Sequence, residues 1–282
     1  MPAEAGRITE LWRYPVKSMM GEPLTSSEIT PAGLIGDRAY ALIDSETGKV
    51  VSAKNPHRWP DLFHWRALFS EPPQTGKQPP PVQFTMPDGG TIDGGAADAP
   101  ARLSAALGRD VKLTAQAPAQ PELEEYWPDI EGLAHREAVT AERIASAGEG
   151  TFFDFSAVHL LTSATLARLS QLYPEGTFDV RRFRPNILVE TPAGGEGFVE
   201  NDWVGKTVVI GDVRLRVLIP CPRCVMTTLS QPGLAADPGI LKTAARHNTV
   251  PVGDAGAMPS VGVYAVVRQG GRVRVGDSIR VE

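Results

Sequence analysis

Cysteine is nearly absent: only Cys221 and Cys224 occur among 282 residues. That excludes a disulfide framework and any iron–sulfur cluster held by four thiolates of the chain's own. Whatever sulfur chemistry exists is concentrated at one place. Runs of Lys or Arg are also missing, and 28 basic against 33 acidic residues leave a net charge of −5. Such a chain offers no electrostatic footprint for nucleic acid or for an anionic membrane. No apolar stretch approaches the length of a membrane span, and the opening Met-Pro-Ala-Glu-Ala-Gly has neither a basic n-region nor an apolar h-region. The expectation is a cytoplasmic protein with neither a nucleic-acid nor a membrane partner. No G-x-G-x-x-G dinucleotide fingerprint follows a strand, and no C-x-x-C-H haem attachment is present.

What is present is an ordinary globular composition, 42% hydrophobic and 22% charged, over a length that suits two domains. Residues 7–14 alternate apolar and polar side chains, as a half-buried strand does. Comparable short runs follow at 39–43, 49–52, 62–69 and 82–86, parted by turn signals such as Pro31-Ala32-Gly33. A short helix is predicted over 100–107, stopped by Gly108, with a strand over 111–113. Residues 115–129 are Pro-rich and acidic without apolar periodicity, which reads as an interdomain connection. A clear helix is predicted over 163–173, with Leu166, Leu169 and Leu172 recurring and Pro174 ending the run. Strands are predicted again at 186–190, 207–210, 213–219, 261–267 and 278–281. Many short strands with tight turns suggest a β-sandwich or barrel, so the fold class is mainly β with few helices, a β-rich α+β chain, with a β-rich domain over residues 1–120 and a second domain over 121–282.

Both cysteines lie in Cys221-Pro222-Arg223-Cys224, directly after an apolar strand. Four chemistries compete for them. A structural zinc site needs four ligands and would have to recruit scattered histidines or carboxylates. A thioredoxin-like redox pair opens a helix, whereas residues 225–229 are rich in β-branched side chains. Two cysteines can also simply pack as small hydrophobes. In the fourth, a thiolate beside Arg223, its pKa lowered by that charge, serves as the soft ligand of a redox metal brought by an organic cofactor. That last chemistry needs anion-binding groups elsewhere. Lys17 and Ser18 sit at a strand end; Arg184 and Asn186 alternate where a buried strand begins; Thr162 and Ser163 stand at the predicted helix N-terminus, where free amides and the dipole attract anions.

Taken in order, Tyr14-Pro15-Val16-Lys17-Ser18, Gly36-Asp37-Arg38, Leu161-Thr162-Ser163, Phe183-Arg184-Pro185-Asn186, Ile210-Gly211-Asp212 and Cys221-Pro222-Arg223-Cys224-Val225-Met226-Thr227-Thr228 resemble the MOSC superfamily. The likeness is strongest to the branch of the mitochondrial amidoxime-reducing components and their bacterial relatives. The resemblance implies a β-barrel N-terminal domain joined to a MOSC β-barrel, clasping a molybdenum cofactor (Mo-molybdopterin). It implies Cys224 as the catalytic metal ligand and Lys17, Ser18, Arg38, Thr162, Ser163, Arg184 and Asn186 as the groups holding phosphate and pterin, with Cys221 structural. Glu200-Asn201-Asp202-Trp203 departs from the family's Glu-Asp-Ser-Trp run, which leaves a proton donor unassigned. The implied activity is reduction of small N-hydroxylated compounds such as amidoximes and hydroxylamines. Electrons are expected from a separate donor, a ferredoxin or flavoprotein reductase, since no four-cysteine ferredoxin segment occurs. The alternative implied by the same residues is a protein that carries molybdenum cofactor or sulfur without turnover.

Overall fold

The computed structural model describes residues 4–144, 151–192 and 197–282. Its organising feature is a closed barrel of seven strands. Val158–Thr162 pairs in parallel with Ile187–Glu190, which runs antiparallel to Glu4–Arg13. From there antiparallel pairing continues through Ser278–Val281, Thr207–Ile210, Val213–Pro222 and Ala257–Gln269. The last of these returns to Val158–Thr162 and closes the ring. The one parallel step needs a crossover, supplied by the helices Ser163–Leu172 and Val180–Phe183.

Alternation explains the interior. In Val213–Pro222, Val213, Leu215 and Val217 are buried while Arg214 and Arg216 face out. They meet Ile8, Leu11, Leu160, Val189, Val208, Val263 and Ile279 in one apolar core. At roughly 25 cal/mol per Å², burial of such side chains dominates what holds the barrel closed.

A second core gathers Val16, Met19, Leu42, Val51, Trp59, Phe63, Trp65, Phe84 and Leu103 from the N-terminal third, with Met226 from beyond the cysteine motif. It is built on the sheets Arg66–Phe69, Val82–Thr85, Thr91–Asp93 and Ala41–Asp44, Val111–Thr114, capped by the helix Ala99–Leu107. That helix stops where predicted: Gly108 takes a left-handed φ of 68°.

Three sequence expectations change. Residues 49–52 form no strand; Val50 makes only an isolated bridge to Ile43. Within 62–69, Leu62–His64 is a 3-10 turn and the strand begins at Arg66. Within 115–129 the chain is not a bare connection, since Glu122–Trp127 forms a hairpin with Ala138–Arg143.

Candidate functional site

The loop after the first barrel strand, the turn before Tyr40, the end of the helix Val180–Phe183 and the end of the strand Val213–Pro222 converge on a cavity of about 290 Å³. Cys224 lines it. Six basic side chains line it too: Lys17, Arg38, Lys54, Arg143, Arg184 and Arg223. Three carboxylates, Glu125, Glu142 and Asp154, oppose them, so the cavity keeps a positive excess inside a chain of net charge −5. A larger cavity of about 850 Å³ lies around residues 30–39, 73–79 and 115–119, but neither a cysteine nor an arginine lines it.

Backbone geometry singles out the same place. Four non-glycine residues have positive φ among the described residues, and three line this cavity: Ser18 at 63°, Arg38 at 49° and Arg184 at 55°. Each such residue costs of order 1–3 kcal/mol and persists only where its surroundings hold it. Tyr14 does much of that holding. Its ring lies 4.1 Å from the Arg184 guanidinium and 4.8 Å from that of Arg38, and its hydroxyl donates to the Pro185 carbonyl. Arg184 also donates to the Met19 carbonyl at 2.8 Å, and burial lowers its pKa to about 10. Arg38 is paired with Asp37, a carboxylate that further accepts from the Tyr14 amide and Asn186 Nδ2.

The two cysteines differ in environment. Cys221 is fully buried and its sulfur accepts from Arg223 Nη1 at 2.8 Å. Cys224 is partly exposed and lines the cavity. The Arg223 guanidinium thus faces the first sulfur rather than the second, and the expected lowering of the Cys224 pKa does not occur. Burial, with Glu125 adding repulsion, pushes that thiol up to about 11, against the opposing pull of Lys54 and Arg223. A metal ion would replace the proton, because ligation deprotonates a coordinating thiol outright. After Cys224 the chain makes the 3-10 turn Val225–Thr228, closed by Thr227 donating to the Cys224 carbonyl.

Of the eight residues singled out by sequence, the structure brings Cys224, Lys17, Ser18, Arg38 and Arg184 to one cavity. It does not bring Thr162, Ser163 or Asn186 there. Thr162 and Thr165 both donate to Glu200 Oε2 at 2.6 Å, so the chain already supplies the carboxylate that the helix N-terminus attracts. Ser163 Oγ accepts from the Thr191 amide, and Asn186 spans Trp12, Asp37 and the His159 amide. Asn186 therefore steadies Asp37, which holds Arg38. Asn201 bonds Asn248 and, with Asp202, lies away from the cavity. Missed by sequence were Lys54, Glu125, Asp154 and Tyr264, single side chains on segments without a motif.

Fold and site together define a class. The family model described as the MOSC domain matches residues 147–280, and that of the MOSC N-terminal beta barrel domain matches residues 5–91. The chain belongs to the family of MOSC-domain proteins that carry this N-terminal barrel. Among curated proteins it is similar to mitochondrial amidoxime reducing component 2 of Rattus norvegicus, 25% identical over 299 residues that cover 98% of this chain and 83% of the relative. Mitochondrial amidoxime-reducing component 1 of Homo sapiens is likewise 25% identical, over 317 residues with the same coverage. Among solved structures, the YuaD protein from Bacillus subtilis aligns over 100% of this chain and 98% of its own at 11% identity and a TM-score of 0.45.

Proposed function

We propose that the protein holds a molybdenum cofactor in this cavity, with Cys224 as its protein ligand, and reduces N-hydroxylated compounds such as amidoximes with electrons from a separate protein. The observation that carries the reading is a thiol on the wall of a cavity lined by an excess of cations. The names of the relatives point the same way. The residues fit a phosphorylated, sulfur-rich cofactor. Among the described residues Arg223 Nε is buried without a partner, and the left-handed Ser18, Arg38 and Arg184 all line the one cavity. Lys17, Ser18, Arg38 and Arg184 would grip phosphate and pterin, each charge-assisted bond adding about 1.5–3 kcal/mol.

When bound, the group supplies two-electron chemistry that ordinary side chains lack. The net reaction breaks an N–O bond, consumes two electrons and two protons, and releases water. The chain orients the reactants. Met226 and Met258 give the cavity adaptable apolar lining, while Trp127, its Nε1 fixed on Thr140 at 2.7 Å, gives it a rigid aromatic wall.

Metal and pterin analysis of purified protein, with turnover of benzamidoxime by a reduced viologen dye, tests the reading. Cys224→Ser is expected to abolish turnover and weaken metal retention, whereas Cys221→Ser largely spares both. Equal loss in the two variants would refute a single sulfur ligand. Full cofactor content without turnover of any N-hydroxy compound would leave a carrier in place of an enzyme.

A further inference from the structure

We propose that Asp154 is a displaceable internal anion: its carboxylate holds the seat formed by Lys17 and Lys54 in the cofactor-free protein and yields it to an incoming phosphate group. The inference rests on reading the cavity as an anion site. Lys17 Nζ lies 2.6 Å from Asp154 Oδ1 and donates to the Phe152 carbonyl at 2.8 Å. Lys54 Nζ lies 3.9 Å from Asp154 Oδ2 and 2.9 Å from Glu125 Oε2. The Lys17 side chain is only 5% exposed, and an ammonium so enclosed needs an anion beside it.

Two carboxylates paired with the site's cations are built differently. Asp37 has no exposed side-chain surface and is fixed by the Tyr14 amide, Asn186 and Arg38, so it cannot leave without stranding three partners. Asp154 is 34% exposed, and among the described residues its side-chain hydrogen bond is to Lys17 alone. A turn about its own side-chain bonds takes it into water at small cost. Lys17 would keep the Phe152 carbonyl and gain phosphate oxygens; Lys54 would keep Glu125. A phosphate arriving on Lys17 also meets Asp154 as a like charge at short range, which drives the exchange. The seat is thus never an uncompensated buried charge, with or without its ligand.

Calorimetric titration of cofactor-free protein with inorganic phosphate tests this. Asp154→Asn removes the competitor and should tighten phosphate binding by about tenfold or more. Adding Lys17→Met to that variant should abolish the gain. If Asp154→Asn binds phosphate no better than the parent, or more weakly, Asp154 is a fixed partner that orients Lys17 and the proposal falls. Should that variant fold poorly, Asp154→Ser read by the phosphate dependence of its thermal midpoint serves instead: a larger upshift than the parent's is expected, and an equal or smaller one overturns the idea. A parent protein found without molybdenum or pterin, yet showing this phosphate response, would lose the cofactor reading and keep the seat. A pterin-loaded parent whose Asp154→Asn form shows no gain would keep the cofactor and lose the seat.

Discussion

At the scale of single residues, His159 ties the cavity to stability. It is 3% exposed, with Nε2 3.2 Å from the Val261 carbonyl. Burial, then the charge of Arg223, lowers its pKa from 6.5 to about 3. The folded form therefore keeps the ring neutral while the unfolded chain takes up a proton below about pH 6.5. Its contribution is complete above that value and is lost as pH falls toward 3, at about 1.4 kcal/mol per pH unit. Urea unfolding at about pH 7 and about pH 5 should show this fall in the parent and a smaller one in His159→Gln. Identical slopes would mean that the buried neutral ring contributes nothing. Lys17 and Arg184 were picked from strand-end motifs, Arg38 and the choice of Cys224 from the family resemblance, and all four line one cavity. Asn186, picked by alternation, and Thr162, picked as a helix N-terminus, do not line it: either signal tells which way a side chain faces, not what waits there. For Thr162 the occupant was Glu200, 38 positions further along.

At the scale of elements, strands rich in β-branched residues were readable to the residue, Thr207–Ile210 and Ser278–Val281 among them. The hairpin strand Glu122–Trp127 was not, because its inward set is Leu123, Glu125 and Trp127. A glutamate among the inward positions erases the apolar signal, and it stands there because that strand walls a polar cavity. The barrel's closing pair makes an opposite demand. Gly262 has a φ of 81°, and a Cβ there would come within 2.3 Å of His159 Nε2 and 2.6 Å of the Leu160 carbonyl. Gly262→Ala should cost about 2–4 kcal/mol in urea unfolding, from strain plus overpacking. Gly211, at φ 55° with open space around it, is the control. Its alanine variant should lose only the left-handed penalty of about 1–2 kcal/mol. Equal losses would show that the barrel seam gives way to the added methyl.

At the scale of the molecule, the halves interlock. The first strand, Glu4–Arg13, sits between Ile187–Glu190 and Ser278–Val281. Ser26–Thr30 pairs with Gly271–Arg274, and Met226 packs into the core of the N-terminal third. A division near residue 120 therefore separates family segments but cuts through shared sheets. Scanning calorimetry should show one transition, with calorimetric and van't Hoff enthalpies in a ratio of about 1. Residues 121–282 produced alone should lack the closed barrel, because the strand Glu4–Arg13 is missing. Two resolved transitions, or a folded fragment with a native-like core, would contradict this.

The seam between the first and the last barrel strands also sets a timetable. Glu4–Arg13 leaves the ribosome well before one of its two barrel neighbours, Ser278–Val281, which lies more than 260 residues further along the chain. At about 5–20 residues per second that strand waits roughly 15 to 60 s with an unsatisfied edge. An unpaired edge held that long is open to wrong partners, so the nascent chain should lean on a chaperone during that interval. Lys17 and Ser18 wait alongside it for Cys224, which lies on the far side of the same closure. On the proposed function, loading of the cavity would await the closure that joins these segments.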